Sequence, residues 1–367
     1  MSEEKQFQGQ TAGDIGEQMQ ESLDKMMAAT QKWAEILALD PWPETGKTPK
    51  EVVWRKNKSK LYHYYSDKPI KHRIPVLFTY ALINKAYILD LTPGMSMIES
   101  LVENGFDVYM LEWGNFEWED RNLTYNDFVY KYIARAVQKV CQISQTEELS
   151  IVGYCMGGTM ACMYASLFPK PTLRNLVLLA APIRFDIGGT ETRWLNTTFG
   201  NDVDTIVDTF QLVPKEFIDI GVKMLKPVNN FVGTYSRLWK LVEEGAPIDN
   251  WKALNKWVDD NQNFPGGAYR QWVRDFYHDN KLIKGEIKLR GNRVDLSRIT
   301  SNLLVLAGEN DHLVRPQQAK AAMDALSSSV DKEYHEFPIG HGGLVFGKVA
   351  IKQVYPLLGN WLAARSD

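Results

Sequence analysis

The rhythm of hydrophobic and polar positions changes several times along the chain. In residues 1–45, Ile15, Met19, Leu23, Met26, Met27, Trp33, Ile36 and Leu37 recur at roughly helical spacing, with Glu, Gln, Asp and Lys between them. That spacing predicts one or two amphipathic helices. Such a segment either docks a partner subunit or packs on its own domain. It is too poor in Lys and Arg to be an electrostatic membrane anchor. After Pro41 and Pro43 the pattern shifts, and Val52–Tyr65 reads as two short edge strands. Apolar runs then alternate with helical patterns. The predicted strands are Ile74–Leu82, Asp107–Trp113, Leu149–Cys155, Leu173–Ala181, Asn302–Gly308 and Lys332–Phe337. Helices are expected near Ser96–Asn104 and Tyr125–Ile143; in the second, Phe128, Tyr132, Ile133, Ala136, Val137, Val140 and Cys141 share a face. Near-continuous apolar strands alternating with helices imply an α/β fold whose parallel sheet is covered on both faces.

The alternation stops between Arg184 and Glu286. This stretch holds Trp194, Trp239, Trp251, Trp257 and Trp272, five of the eleven tryptophans, among several Pro and Gly breaks. It reads as a mostly helical cap inserted into the sheet domain. The expected organisation is an N-terminal helical segment (1–45), a first core part (46–183), the cap (184–286) and a second core part (287–367).

Composition narrows the class. A chain of 367 residues suits one large domain or a domain with an insertion. Charged residues at 24% and AVILMFWYC at 44% describe a folded protein. Lys plus Arg at 42 against Asp plus Glu at 45 leaves a net charge of −3, which gives no support for nucleic-acid binding. No apolar run is long enough for a transmembrane helix, and MSEEKQFQGQ lacks the regions of a secretory signal. Cys141, Cys155 and Cys162 are too few for a disulfide framework. The expectation is a cytoplasmic protein with reduced thiols.

The chemistry is concentrated in Leu149-Ser150-Ile151-Val152-Gly153-Tyr154-Cys155-Met156-Gly157-Gly158-Thr159. A β-rich run enters Gly-x-Cys-x-Gly and a helical pattern leaves it. This is the nucleophile elbow of the α/β-hydrolase fold, with Cys in place of Ser. The glycines are needed because a side chain there would strike the neighbouring strand or helix. The helix beginning at Met156 aims its free N–H groups and positive dipole end at the sulfur, and the Met156 N–H can serve an oxyanion. Cys141 and Cys162 lie in helical patterns and read as core residues.

A Cys nucleophile requires a base, and elbow enzymes order the triad as nucleophile, acid, His. Of six histidines, His312, His335 and His341 follow a late strand. His335 lies within the last strand pattern. His341 sits just beyond it in Gly340-His341-Gly342-Gly343, a loop suited to an active site. Asp311 ends the preceding strand in Gly308-Glu309-Asn310-Asp311-His312 and is the candidate acid, with Glu309 as the alternative; His312 is a possible lining residue. A second oxyanion donor is expected from the loop Tyr80-Ala81-Leu82-Ile83-Asn84-Lys85, at the backbone N–H near Ile83. Gly46-Lys47-Thr48 lacks the earlier glycine of a P-loop, and no Cys/His set has metal-ligand spacing.

The thiol itself is informative. A Cys acyl-enzyme is a thioester, so exchange with a thioester substrate is close to energy-neutral. That favours a transferase over a hydrolase.

The sequence resembles the catalytic subunits of polyhydroxyalkanoate synthases from about Thr48 to Ser366. The likeness rests on Ala81-Leu82-Ile83-Asn84-Lys85 with Tyr87-Ile88-Leu89-Asp90-Leu91, and on Gly105-Phe106-Asp107-Val108-Tyr109 with Glu112-Trp113-Gly114. It continues through Gly153-Tyr154-Cys155-Met156-Gly157-Gly158, Tyr269-Arg270-Gln271-Trp272 with Asp275-Phe276-Tyr277, and Asp311-His312 with Gly340-His341. The short length and the Gly-Tyr-Cys-Met-Gly-Gly box are similar to the two-subunit types, class III and IV, nearest the Bacillus-type enzyme. The resemblance implies polymerisation of (R)-3-hydroxyacyl-CoA, mainly the 3-hydroxybutyryl ester, with release of CoA. It implies that Cys155 holds the growing chain, that His341 activates Cys155, and that Asp311 either orients His341 or assists the hydroxyl. It also implies a small accessory subunit, self-association, a place at the surface of polyester granules, and no cofactor beyond the CoA thioester substrate. Two other readings compete with it: a Cys-type thioesterase or lactone hydrolase, and a granule-coat protein with a relic elbow.

Overall fold

The computed structural model describes residues 43–188, 202–224 and 248–366, with Gln20, Leu23, Asp24 and Met27. Eight strands form the main sheet: β1 (Lys50–Lys56), β2 (Ser59–Tyr64), β3 (Val76–Thr79), β4 (Val108–Glu112), β5 (Glu148–Tyr154), β6 (Thr172–Leu179), β7 (Asn302–Gly308) and β8 (Lys332–Phe337). Their order is β1-β2-β4-β3-β5-β6-β7-β8. The β1–β2 and β2–β4 pairs are antiparallel, and all the others are parallel.

The strand order follows from burial. Val76–Thr79, Leu149–Tyr154, Leu176–Leu179 and Leu303–Gly308 are buried throughout, as strands covered on both faces require. β1 and β2 alternate more and carry charged positions, and they close one edge. β3 is shorter than the apolar run Ile74–Leu82. The chain leaves the sheet after Thr79, and Tyr80, Ala81 and Leu82 stay buried in a loop. Hydrophobicity alone cannot separate a buried strand from a buried loop that follows it.

Three helical elements fix the site. α1 (Met97–Glu103) starts where the Ser96 hydroxyl accepts the Glu99 N–H at 2.9 Å. The helix expected over Tyr125–Ile143 begins with a capping box between Thr124 and Asp127. It then widens into a π-helical segment over Phe128–Ile133 before continuing as α2 (Ala134–Ile143). α3 (Met156–Leu167) follows β5 and is apolar on nearly every side. A helix of that kind belongs in the interior.

The chain forms two compact units. The larger comprises residues 45–225 and 257–367 and contains the sheet; the smaller comprises 1–44 and 226–256. Between β6 and β7 the larger unit carries the helices Val203–Phe210, Lys215–Met224 and Gly266–Gln271, then a π-helical stretch, Trp272–His278. In the smaller unit, Gln20 Nε2 donates to Asp24 Oδ1 at 3.1 Å, one helical turn away. Most of the amphipathic pattern of residues 1–45, including Ile15, Met19, Met26, Trp33, Ile36 and Leu37, lies outside the described residues. So do Trp194 and Trp239. Among the described residues, no helix is long and apolar enough to cross a membrane, and no His/Cys/Asp/Glu group is arranged to hold a metal.

Candidate active site

A single residue, Cys155, separates the end of β5 from the start of α3. Its backbone sits at φ 54° and ψ −128°, a conformation that L side chains seldom adopt. Strain of that kind costs about 1–3 kcal/mol and persists only where the surroundings enforce it. Two glycines make the turn possible. A Cβ on Gly157 would lie 2.6 Å from the Tyr80 nitrogen and closer still to the Thr79 carbonyl oxygen. A Cβ on Gly153 would lie 2.6 Å from the Gly158 nitrogen. Without those side chains α3 packs directly against β3 and β5. The Cys155 carbonyl accepts the Gly158 N–H at 3.0 Å, and the N–H of Met156, the first helical residue, has no intrahelical acceptor. The half-buried sulfur therefore stands at a helix N-terminus.

His341 and Asp311 reach this point from the ends of β8 and β7. His341 Nδ1 lies 2.7 Å from Asp311 Oδ2. The other carboxylate oxygen, Oδ1, accepts the backbone N–H groups of Leu313 at 2.8 Å and Val314 at 2.9 Å. Asp311 is 1% exposed and His341 9%. With Nδ1–H directed at the carboxylate, Nε2 is left for the hydrogen bond with Cys155. Burial alone would lower the imidazole pKa. The Asp311 carboxylate and the Cys155 sulfur outweigh burial and push it up to about 10. Tyr154 supports the ring from below: its hydroxyl donates to the His341 carbonyl at 3.2 Å, and the two rings are 5.0 Å apart.

The loop after β3 is held by its carbonyl groups. Trp113 Nε1 donates to Tyr80 O at 3.0 Å, and Trp257 Nε1 donates to Lys85 O at 2.7 Å. Gln262, 4% exposed, supplies two bonds: Nε2 to Leu82 O at 2.8 Å and its backbone N–H to Ile83 O at 3.0 Å. With three carbonyls from Tyr80 to Ile83 engaged in this way, the loop has little freedom to turn. Ile83 is half-buried at this turn.

The sequence and the fold both have known relatives. The alpha/beta hydrolase fold family matches residues 74–348, and the poly-beta-hydroxybutyrate polymerase (PhaC) N-terminus family matches residues 20–101. The poly(3-hydroxyalkanoate) polymerase subunit PhaC of Haloferax mediterranei is 39% identical over 352 residues, covering 96% of this chain and 70% of the relative. The subunit of the same name from Synechocystis is 37% identical over 330 residues, covering 88% and 86%. The chain belongs to the poly(3-hydroxyalkanoate) polymerase family. It is an enzyme of the acyltransferase class. A solved thioesterase domain from the curacin biosynthetic pathway has a TM-score of 0.52 at 11% identity, covering 87% of this chain and all of that one, and shares the fold.

The other residues that the sequence of this polymerase singles out are Cys141, Cys162, Glu309, His335 and His312. Burial pushes the Cys141 thiol up to about 11 and the Cys162 thiol up to about 12. Glu309 is exposed, and its N–H donates to Phe337 O at 2.8 Å. His335 lies within β8, 3.2 Å from Glu333 Oε2. His312 is half-buried beside Asp311. Gln262 and Trp257 have no sequence signal, because their role depends on backbone bonds to a loop about 180 positions away. Trp113 lies in the Glu-Trp-Gly string, where its indole could have been read as a buried donor in need of a partner.

Proposed function

We propose that this polymerase builds polyester from (R)-3-hydroxyacyl-CoA, mainly the 3-hydroxybutyryl ester, with the chain carried as a thioester on Cys155. The observation that carries this reading is the hydrogen-bonded row Cys155–His341–Asp311 at the carboxyl ends of β5, β8 and β7. In the resting pair the thiol's proton sits on His341, and the sulfur attacks the thioester carbonyl. The Met156 N–H, with one from the loop near Ile83, faces the developing oxyanion; each such donor contributes about 3–4 kcal/mol. CoA leaves as a thiolate and receives the proton from His341. His341 then takes the proton of the 3-hydroxyl of the next monomer, still a CoA ester, as that oxygen attacks the Cys155 thioester; the acyl–sulfur bond breaks, giving a CoA ester lengthened by one unit and restoring the Cys155–His341 pair. That lengthened CoA ester reacylates Cys155 and releases CoA.

The working complex includes a small accessory subunit, in keeping with the word subunit in the relatives' names, and it acts at the polyester granule surface in the cytoplasm. The test is direct. Protein incubated with 3-hydroxybutyryl-CoA should release CoA and turn turbid, and Cys155→Ala should do neither. Release of free 3-hydroxy acid in place of polymer would mark a hydrolase.

A further inference from the structure

Tyr125 stands where the chain enters the helical segment after β4, at the same end of the sheet as Cys155. Its position is fixed on every side. The Asp127 carboxylate accepts the Thr124 N–H at 2.9 Å and the Thr124 hydroxyl at 3.0 Å. The Tyr125 N–H donates to Gln271 Oε1 at 2.8 Å. Its ring packs 5.1 Å from Phe276, 6.1 Å from Trp272 and 6.5 Å from Phe128. The side chain is 1% exposed, yet its hydroxyl has no hydrogen-bond partner.

A buried hydroxyl left unpaired is costly, and native structures rarely tolerate one without a use. The capping residues and Gln271 would hold the helix without it, and Phe would fill the same aromatic space. Burial, and then the nearby Cys155 sulfur and Tyr277 hydroxyl, hold its pKa well above the ordinary value, so it stays a neutral donor. The rings of Phe128, Trp272 and Phe276 pack around it.

We propose that Tyr125 is a substrate-contacting residue whose hydroxyl donates a hydrogen bond to the oxygen at the 3-position of the acyl group on Cys155. In the first acyl unit that oxygen is a hydroxyl, and in the growing chain it is an ester oxygen. The Phe276 and Trp272 rings flank the alkyl part. Tyr125 thereby distinguishes 3-oxygenated acyl groups from plain ones. The assignment rests on Cys155 as the acyl carrier.

The experiment compares Cys155 acylation rates from 3-hydroxybutyryl-CoA and from butyryl-CoA, by rapid quench and intact mass, in wild type and Tyr125→Phe, each with its accessory subunit. The ratio of the two rates should fall about tenfold in the variant, as expected when a site loses its hydrogen bond to a substrate oxygen. The melting temperature should not drop, because the lost hydroxyl has no protein partner. An unchanged ratio, or an equal fall in both rates, overturns the assignment while leaving Cys155 as the carrier. A lower melting temperature with an unchanged ratio makes the hydroxyl structural and also overturns it. No adduct on wild-type Cys155 from either ester overturns the carrier reading and this assignment with it.

Discussion

Asp311 grips His341 with one carboxylate oxygen, at 2.7 Å, while its other oxygen is tied to the backbone N–H groups of Leu313 and Val314. The carboxylate therefore cannot rotate away, and the imidazole is held with Nε2 toward the sulfur. Asp311→Asn keeps the volume but removes the charge and favours the wrong tautomer. Acylation of Cys155 should fall by about a thousandfold or more, as triads behave when that carboxylate is lost. Stopped-flow measurement of CoA release in acylation checks this; a near-normal rate would leave Asp311 to its other reading, assistance to the attacking hydroxyl.

The raised imidazole pKa has a thermodynamic consequence. Folded His341 holds its proton up to about pH 10, against an ordinary value of 6.5. A raised value means the folded state binds the proton more tightly than the unfolded chain does. That stabilisation is fully present below about pH 6.5 and is lost as pH rises through about 10. Denaturant unfolding of wild type and His341→Gln should show a stability gap that narrows across this window. A gap that stays constant or widens would contradict the arrangement.

The elbow stores strain at φ 54° that a glycine would relieve. Cys155→Gly should be inactive yet more stable than wild type, by about 1–2 kcal/mol in urea unfolding. Cys155→Ala removes the sulfur without easing the backbone and should not share the gain. Equal stabilities for the two variants would mean that the turn carries no strain.

Gln262 offers a test of the loop after β3. Gln262→Leu keeps the bulk but loses the Nε2 bond to Leu82 O and the contact of Lys85 Nζ with Oε1. If those bonds aim the loop's N–H groups at the oxyanion, kcat should drop by about tenfold or more with little change in KM. An unchanged kcat in a folded variant would separate the clamp from catalysis.

The parts legible in the sequence share a physical cause. β5, the elbow and α3 could be read because Gly153 and Gly157 are demanded by local packing, and a strand entering a helix through one residue leaves a short, recognisable string. Asp311 could be read because it follows the buried strand β7, and His341 because it follows the last strand, β8, in a glycine-rich loop. What escaped depends on distant partners. The π-helical segment Phe128–Ile133 buries Phe128, Val129, Tyr132 and Ile133, and a 3.6-residue period cannot announce that widening. Gln262 looks like any polar loop residue until Leu82 and Ile83 are placed beside it. The unpaired state of the Tyr125 hydroxyl is likewise visible only once its neighbours are in place.

The most direct test of the central claim is rapid-quench mass spectrometry of the protein, with its accessory subunit, during turnover of 3-hydroxybutyryl-CoA. The account predicts hydroxybutyrate, alone or as a short oligomer, in thioester linkage on the peptide carrying Cys155 and on neither Cys141 nor Cys162. Polymer forming while Cys155 stays unmodified, or forming at an undiminished rate in Cys155→Ala, would contradict it.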